Sequence, residues 1–390
     1  MVSNSLKDEN KDDYKEKVGL VQWFHLNHFE EPGEEKYILI TGGSGFVGVN
    51  LADRLLNDGK KVMIFDNLSR AGVENNLLWL KEKYGRNLQI MIADIRDSVA
   101  VAQAVQNAEF VFHFAAQVAV TTSLADPFHD FEVNARGTLN VLEAIRRSEH
   151  QPPVVFTSTN KVYGDLHDLG IIMNGTRYHP ENKFFRQNGI SEERTLDFHS
   201  PYGCTKGVAD QYMLDYARTF GLRTCVFRMS CIYGPHQFGT EDQGWVAHFL
   251  IQALKNKPIT LYGDGKQVRD ILFVEDLVEA FLLAKENIEK VSGNAYNMGG
   301  GVNNTVSLLE LCGLIGEITG RKPEIIFDEW RPSDQKYYVS DFTKFHLATG
   351  WLPQADTRQG LTQLYNWLHE YAVSPALQPV RKKKKISNLV

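Results

Sequence analysis

Tyr202 and Lys206 stand four residues apart in Tyr202-Gly-Cys-Thr-Lys206. They open a stretch, residues 202–220, whose apolar spacing predicts a helix, and on a helix such a pair shares one face. A free tyrosine has a pKa of about 10. An ammonium beside it, helped by an oxidised nicotinamide, would stabilise the phenolate and lower that value. A phenolate held this way can take the proton from a substrate hydroxyl while hydride leaves the same carbon. Two further stretches suit that chemistry. Thr159, in Phe156-Thr-Ser-Thr-Asn-Lys-Val-Tyr-Gly164, runs off a predicted strand end and would orient the reacting hydroxyl toward Tyr202. His113-Phe-Ala-Ala-Gln117 places small residues at another strand end, leaving room for a flat ring. Each has a plainer reading alone: a helix N-terminal turn, a capped loop, core packing. Their occurrence together, in this order, favours one shared site.

Hydride needs a carrier, and Tyr37-Ile-Leu-Ile-Thr-Gly-Gly-Ser-Gly-Phe-Val-Gly48 is built to hold one. A short apolar run meets Gly42, Gly43, Gly45 and Gly48, and helical spacing follows from Val49. Strand, glycine turn and helix form the dinucleotide fingerprint. The glycines allow a tight turn, and the helix N-terminus offers N–H donors to a pyrophosphate. Lys61-Val-Met-Ile-Phe-Asp66 is a second predicted strand, ending in an acid where a ribose-binding carboxylate is expected.

Strands and helices alternate to position these groups. Residues 75–84, 99–105, 127–147 and 202–220 read as helices; 89–93, 109–114, 154–158 and 224–228 read as strands. Alternation of this kind predicts an α/β fold, a Rossmann-type doubly wound parallel sheet with right-handed crossovers. Ligands then collect at the carboxyl ends of the strands, where Gly42, Asp66, Asp94, Ala115, Ser158 and Arg228 fall. Beyond Arg228 the pattern loosens into helices over 245–254, 277–285 and 308–318, mixed with short strands such as 259–262. This predicts four segments: an N-terminal extension over 1–36, a dinucleotide-binding domain over 37–228, a smaller C-terminal α/β substrate domain over 229–372, and a basic tail over 373–390. Residues 1–17 read as disordered, whereas Trp23 and Phe24 call for packing on the domain or a partner subunit. The loop over 164–200 is too long for a plain connector.

Composition narrows the class. With 390 residues, 43% hydrophobic and 23% charged, the chain has the makeup of an ordinary globular protein. A net charge of −6 gives no basic field for nucleic acid. Cys204, Cys225, Cys231 and Cys312 have no metal-ligand spacing and read as reduced thiols, so no metal is expected. No apolar stretch reaches membrane-spanning length and the N-terminus is polar, so no membrane partner and a cytoplasmic location are expected. Arg381-Lys-Lys-Lys-Lys385 reads as a solvated tail.

With these motifs in place, the chain resembles the extended short-chain dehydrogenase/reductases that modify nucleotide sugars, over about residues 37–372. Within them, Ser158-Thr-Asn-Lys-Val-Tyr-Gly-Asp165, Ser200-Pro-Tyr-Gly-Cys-Thr-Lys-Gly207, Tyr233-Gly-Pro-His-Gln-Phe-Gly239 and Asp242-Gln-Gly-Trp-Val246 resemble the CDP-paratose (CDP-tyvelose) 2-epimerases. The resemblance implies NAD, bound by Gly42, Gly45, Phe46, Val47 and Gly48 at the turn. Asp66, Asn67 and Arg70 would hold the adenosine ribose, Asp94 and Ile95 the adenine, and Ala115, Ala116, Gln117, Tyr202 and Lys206 the nicotinamide end. Asp66 would repel a 2′-phosphate, favouring NAD over NADP, although Arg70 could accommodate that phosphate. Arg269 and Arg331 would bind the substrate pyrophosphate, with Ser123, Asn160, Gln243 and Trp245 as further substrate contacts. The implied reaction is inversion at C2 of a CDP-hexose through a 2-keto sugar, in a homodimer joined through helices 127–147 and 202–220. The 4,6-dehydratases need an Asp–Glu pair where this chain has Asn160 and Lys161. A UDP-hexose 4-epimerase is the rival enzyme, and an NAD-sensing module on the same fold is the rival from another class.

Overall fold

The computed structural model describes residues 35–331 and 334–373; the expectations for 1–34 and for the basic tail lie outside them. The first half supplies β1 (Tyr37–Thr41), β2 (Val62–Asp66), β3 (Leu88–Ile92), β4 (Ala108–His113) and β5 (Val154–Thr159). A hairpin follows, β6 (Ile171–Asn174) and β7 (Arg177–Pro180). After the helix Ser200–Phe220 come β8 (Thr224–Met229), β9 (Cys231–Tyr233), β10 (Ile259–Tyr262), β11 (Val268–Phe273) and β12 (Asn294–Met298). The last strands are β13 (Thr305–Ser307), β14 (Ile325–Asp328) and β15 (Tyr337–Tyr338).

The main sheet has seven strands in the order β12-β8-β5-β4-β1-β2-β3, all parallel. This is the doubly wound arrangement, reversing direction between β1 and β4. Its strands read as unbroken apolar runs because helices cover both faces. Along β1, Ile38 and Ile40 enter one core and Tyr37 and Leu39 the other, as period-two side-chain alternation requires.

Residues beyond 228 also contribute to the main sheet and its core. β12 joins the sheet beside β8, and Leu277, Ala280, Phe281 and Ala284 of the helix Val274–Glu286 share the core of Ile38 and Ile40. The added strand covers an edge of β8 that would otherwise expose unpaired backbone groups. A third core gathers Leu250, Leu261, Phe273, Leu311 and Leu364, beneath β9, β11, β13 and β15, which form one small sheet. The long loop over 164–200 is also structured. β6 and β7 pair antiparallel, Arg177 bonds Glu310, the Tyr178 hydroxyl donates to Asp264 at 2.6 Å, and the Ile190 N–H donates to the Val339 carbonyl at 2.7 Å. It straps the two halves of the chain together.

The stretch expected as one helix over 127–147 is interrupted. Pro127–Phe131 is α-helical, Glu132–Arg136 forms a π turn, and Gly137–Arg147 resumes the α-helix. The helix Ser200–Phe220 is held from beneath by a buried ion pair, with Arg228 Nε and Nη2 donating to the two oxygens of Asp210 at 2.9 Å each. Removing one partner of a buried pair leaves the other charge uncompensated. Asp210→Ala should therefore lower the unfolding free energy by about 3–5 kcal/mol in urea denaturation, and a loss well under 1 kcal/mol would contradict the pairing.

Candidate active site

Tyr202 lies in the first turn of the helix Ser200–Phe220 and lines a cavity of about 380 Å³ together with Thr159. The two side chains are hydrogen-bonded, and burial nonetheless pushes the Tyr202 phenol up to about 12. Ser123, expected to meet substrate, is not in the cavity wall. Its buried hydroxyl donates to the Val120 carbonyl at 2.7 Å and accepts the Tyr202 backbone N–H at 3.1 Å, so it anchors the start of the helix Ser200–Phe220.

One turn on, the Lys206 ammonium donates to the Thr157 carbonyl at 2.6 Å and lies 4.2 Å from the centroid of the Phe156 ring. Burial lowers it to about 7, against the opposing pull of Asp210 and Asp130. Burial thus favours Tyr202 as a neutral phenol, and ionising it calls for positive charge close by. Beneath the pair, His113 bonds Thr41 at 2.7 Å and Thr138 at 3.0 Å. Burial, aided by the charge of Lys206, holds His113 down to about 3, hence neutral.

The glycine turn sits where the sequence predicts it. A Cβ on Gly42 would fall 2.6 Å from the Ala115 nitrogen, and one on Gly48 would fall 2.5 Å from the Gly42 carbonyl oxygen. Only hydrogen fits at either position. Gly45 precedes the helix Phe46–Asn57 as its N-cap, while Phe46 and Val47 reach the cavity wall. Asp66 ends β2 and accepts the N–H groups of Ser44 at 3.0 Å and Leu68 at 2.8 Å. Burial raises its carboxyl, and the hydrogen bonds and the nearby Arg70 charge oppose that rise. Asn67 donates to Asp94 at 3.0 Å. Arg96 holds the Asp94 carboxyl well below its ordinary range by donating to both oxygens. Ile95 is buried against Gly137. Ala115 and Ala116 follow β4 at half-buried positions, and the Gln117 amide donates to Asp130 at 2.8 Å.

On the substrate side, Asn160, Gln243, Trp245, Arg269 and Arg331 all line the cavity. Arg269 donates to Asp334 at 2.6 Å. Arg331 stacks 3.9 Å over Tyr262 and donates to the Glu241 carbonyl at 3.0 Å. Asn160 donates to Gln335 at 3.3 Å, and the Trp245 indole donates to Cys231 at 3.3 Å. Lys161 is also in the wall, with its ammonium disfavoured mainly by burial. Two histidines lie elsewhere. His236 is buried between Trp79 and Trp367, and His199 stands 3.0 Å from Asp197 on the strap. No residue of 164–200 lines the cavity, so the strap acts by holding the walls. Sequence reasoning missed Asp130 and Asn134. Their spacing of four on a helix was a visible signal, but the apolar pattern around them reads as core.

A family model described as the NAD dependent epimerase/dehydratase family matches residues 38–299. The chain belongs to that family. It is 45% identical over 337 residues to a CDP-paratose 2-epimerase of Salmonella typhi, spanning 85% of this chain and 98% of that one. Among solved structures it is similar to a UDP-glucose 4-epimerase of Thermotoga maritima with UDP-glucose, with TM-score 0.73 and 30% identity over 86% of this chain and 99% of that one. It is also similar to the Thermus thermophilus UDP-glucose 4-epimerase in complex with NAD, with TM-score 0.70 and 30% identity over 85% and 99% of the two chains. NAD is the cofactor, and the crowded glycine cradle together with the Asp66 carboxylate suits it.

Gly48→Ala tests that fit. Its methyl would press on backbone, and overpacking of this kind typically costs about 1–3 kcal/mol. The variant should purify with little or no bound NAD, by absorbance and by extraction. Wild-type cofactor content would show that the turn can give way.

Proposed function

We propose that this protein is an NAD-dependent 2-epimerase of a CDP-hexose, converting a CDP-paratose-type sugar to its CDP-tyvelose-type epimer. The near full-length similarity to a CDP-paratose 2-epimerase carries the reading, and the Tyr202–Thr159 pair at the cavity wall supports it. Bound NAD supplies the acceptor and donor of a hydride. The chain does the rest. Thr159 orients the O2 hydroxyl, Tyr202 takes its proton and later returns it, and Lys206 adds positive charge one helical turn away. Arg269 and Arg331 clamp the diphosphate while the sugar turns over in the cavity, because guanidinium forks match phosphate oxygens. Arg269 also meets Asp334, and Arg331 meets the Tyr262 ring and the Glu241 carbonyl.

Asn160 and Lys161 stand where an elimination of water would need carboxylic acids, which argues against a dehydratase. A UDP-hexose 4-epimerase shares the same proton and hydride apparatus, and the structural similarity to UDP-glucose 4-epimerases keeps it as the second reading. A CDP-hexose carrying deuterium at C2 separates them. The proposed route gives a C2-inverted product that keeps its label, with no uptake from heavy water. Inversion at C4 with C2 untouched would establish the rival, and solvent deuterium at C2 would refute hydride transfer. Tyr202→Phe should retain NAD and lose more than nine-tenths of turnover.

The protein acts as a homodimer in this reading. Phe128 is 84% exposed, Phe131 50% and Tyr212 42%, and their helices pack against each other. Such an apolar face suits a second copy of the chain. Phe128→Glu should halve the mass seen by light scattering; an unchanged mass would place the contact elsewhere. The four cysteines are free thiols, which suits a reducing, cytoplasmic compartment.

A further inference from the structure

Asp130 touches neither cavity wall nor surface. It is fully buried on the short helix Pro127–Phe131, directly before the π turn. One carboxylate oxygen accepts the Gln117 amide at 2.8 Å and the Asn134 amide at 3.2 Å, and the other accepts the Thr205 hydroxyl. Asn134 in turn accepts the Gln117 backbone N–H at 2.9 Å and donates to Thr205 at 3.2 Å. Three elements therefore meet on one carboxylate: the loop after β4, the π turn, and the catalytic helix at the residue between Cys204 and Lys206. A buried charge is costly unless paired or fully hydrogen-bonded. Burial raises the Asp130 carboxyl, and the Thr205 and Gln117 hydrogen bonds together with the nearby Lys206 charge oppose that rise and favour the carboxylate.

We propose that Asp130 is a positioning residue for the reaction. It locks the start of the helix Ser200–Phe220 to the loop at Ala115–Gln117, and its negative charge tunes Tyr202 and Lys206. This rests on the epimerase reading above. The groups that face the pair are few. Asp130 acts on the Tyr202 phenol to raise it, in the same direction as burial and against the Thr159 hydrogen bond. Asp130 and Asp210 both act on Lys206, keeping it protonated against burial. His113, from β4, is neutral, and His129, on the same helix as Asp130, acts on Asp130 itself. Burial is the main influence on both groups, keeping the phenol neutral and weakening the ammonium; the Asp130 carboxylate adds to the first effect and opposes the second.

Asp130→Asn separates charge from structure. The amide is isosteric; its oxygen can still accept from Gln117 and Asn134, while its NH2 meets the Thr205 hydroxyl, which can accept as well as donate. Without the charge, both the Tyr202 and Lys206 titrations fall. The pH–rate profile with CDP-paratose should move toward acid by roughly one pH unit, so the ratio of variant to wild-type turnover declines as pH rises. A uniform loss with an unmoved profile would assign Asp130 a purely structural role and overturn the proposal, as would unchanged activity. A second measurement needs no substrate. The phenolate absorbance titration of each protein minus its Tyr202→Phe counterpart should show the Tyr202 transition at lower pH in Asp130→Asn. If that transition moves although wild type turns over no CDP-paratose, the epimerase reading fails and the role of Asp130 stands. If wild type turns over and the transition stays, this inference fails alone. Should Asp130→Asn not fold, Thr205→Val removes the tie and keeps the charge. Turnover should fall at least tenfold with KM and the pH profile unchanged, and wild-type turnover would overturn the locking role.

Discussion

The structure depends on a polar stripe buried along one face of the helix Ser200–Phe220. Tyr202, Lys206 and Asp210 recur every four residues, so all three point toward the sheet. Burying such groups costs free energy unless each is satisfied, and each is. The phenol meets Thr159, the ammonium meets the Thr157 carbonyl, and the carboxylate meets Arg228. These partners come from the carboxyl ends of β5 and β8, so the helix can dock in one register alone. The need to satisfy the stripe places the phenol where a ligand at the strand ends can reach it.

That placement has an electrostatic consequence. Burial drives Tyr202 and Lys206 toward their neutral forms together, up to about 12 for one and down to about 7 for the other. The polar network through Gln117, Asn134, Asp130 and Thr205 sits on the same side as the expected nicotinamide end. The π turn lets Asn134 face inward there, in keeping with the tendency of such bulges to mark functional sites.

The substrate side follows a different logic. Arg269 and Arg331 are held by Asp334, Tyr262 and the Glu241 carbonyl. In the proposed reading an incoming diphosphate would replace these contacts, so part of its binding energy would go to releasing them. The strap over 164–200 contributes by tying β7 to Glu310 and Asp264, which fixes the far wall against the sheet without entering the cavity.

Much of this was legible in the sequence. The glycine turn, Asp66 and the four-residue spacing of Tyr202 and Lys206 are local patterns, and local backbone geometry suffices to read them. The parallel sheet follows from alternating apolar runs and helical periods. Other features depend on distant contacts and left no local trace. β12 completes the sheet from the second half of the chain because β8 needs a partner, not because residues 294–298 announce a strand. Ser123 looks like a substrate ligand in sequence, but the fold spends its hydroxyl on the Tyr202 backbone. Asp130 has no sequence motif to single it out, and its burial follows from packing against the helix Ser200–Phe220. Sequence periodicity says which residues share a face; which charge is buried, and against what, is decided when separate elements pack and water leaves.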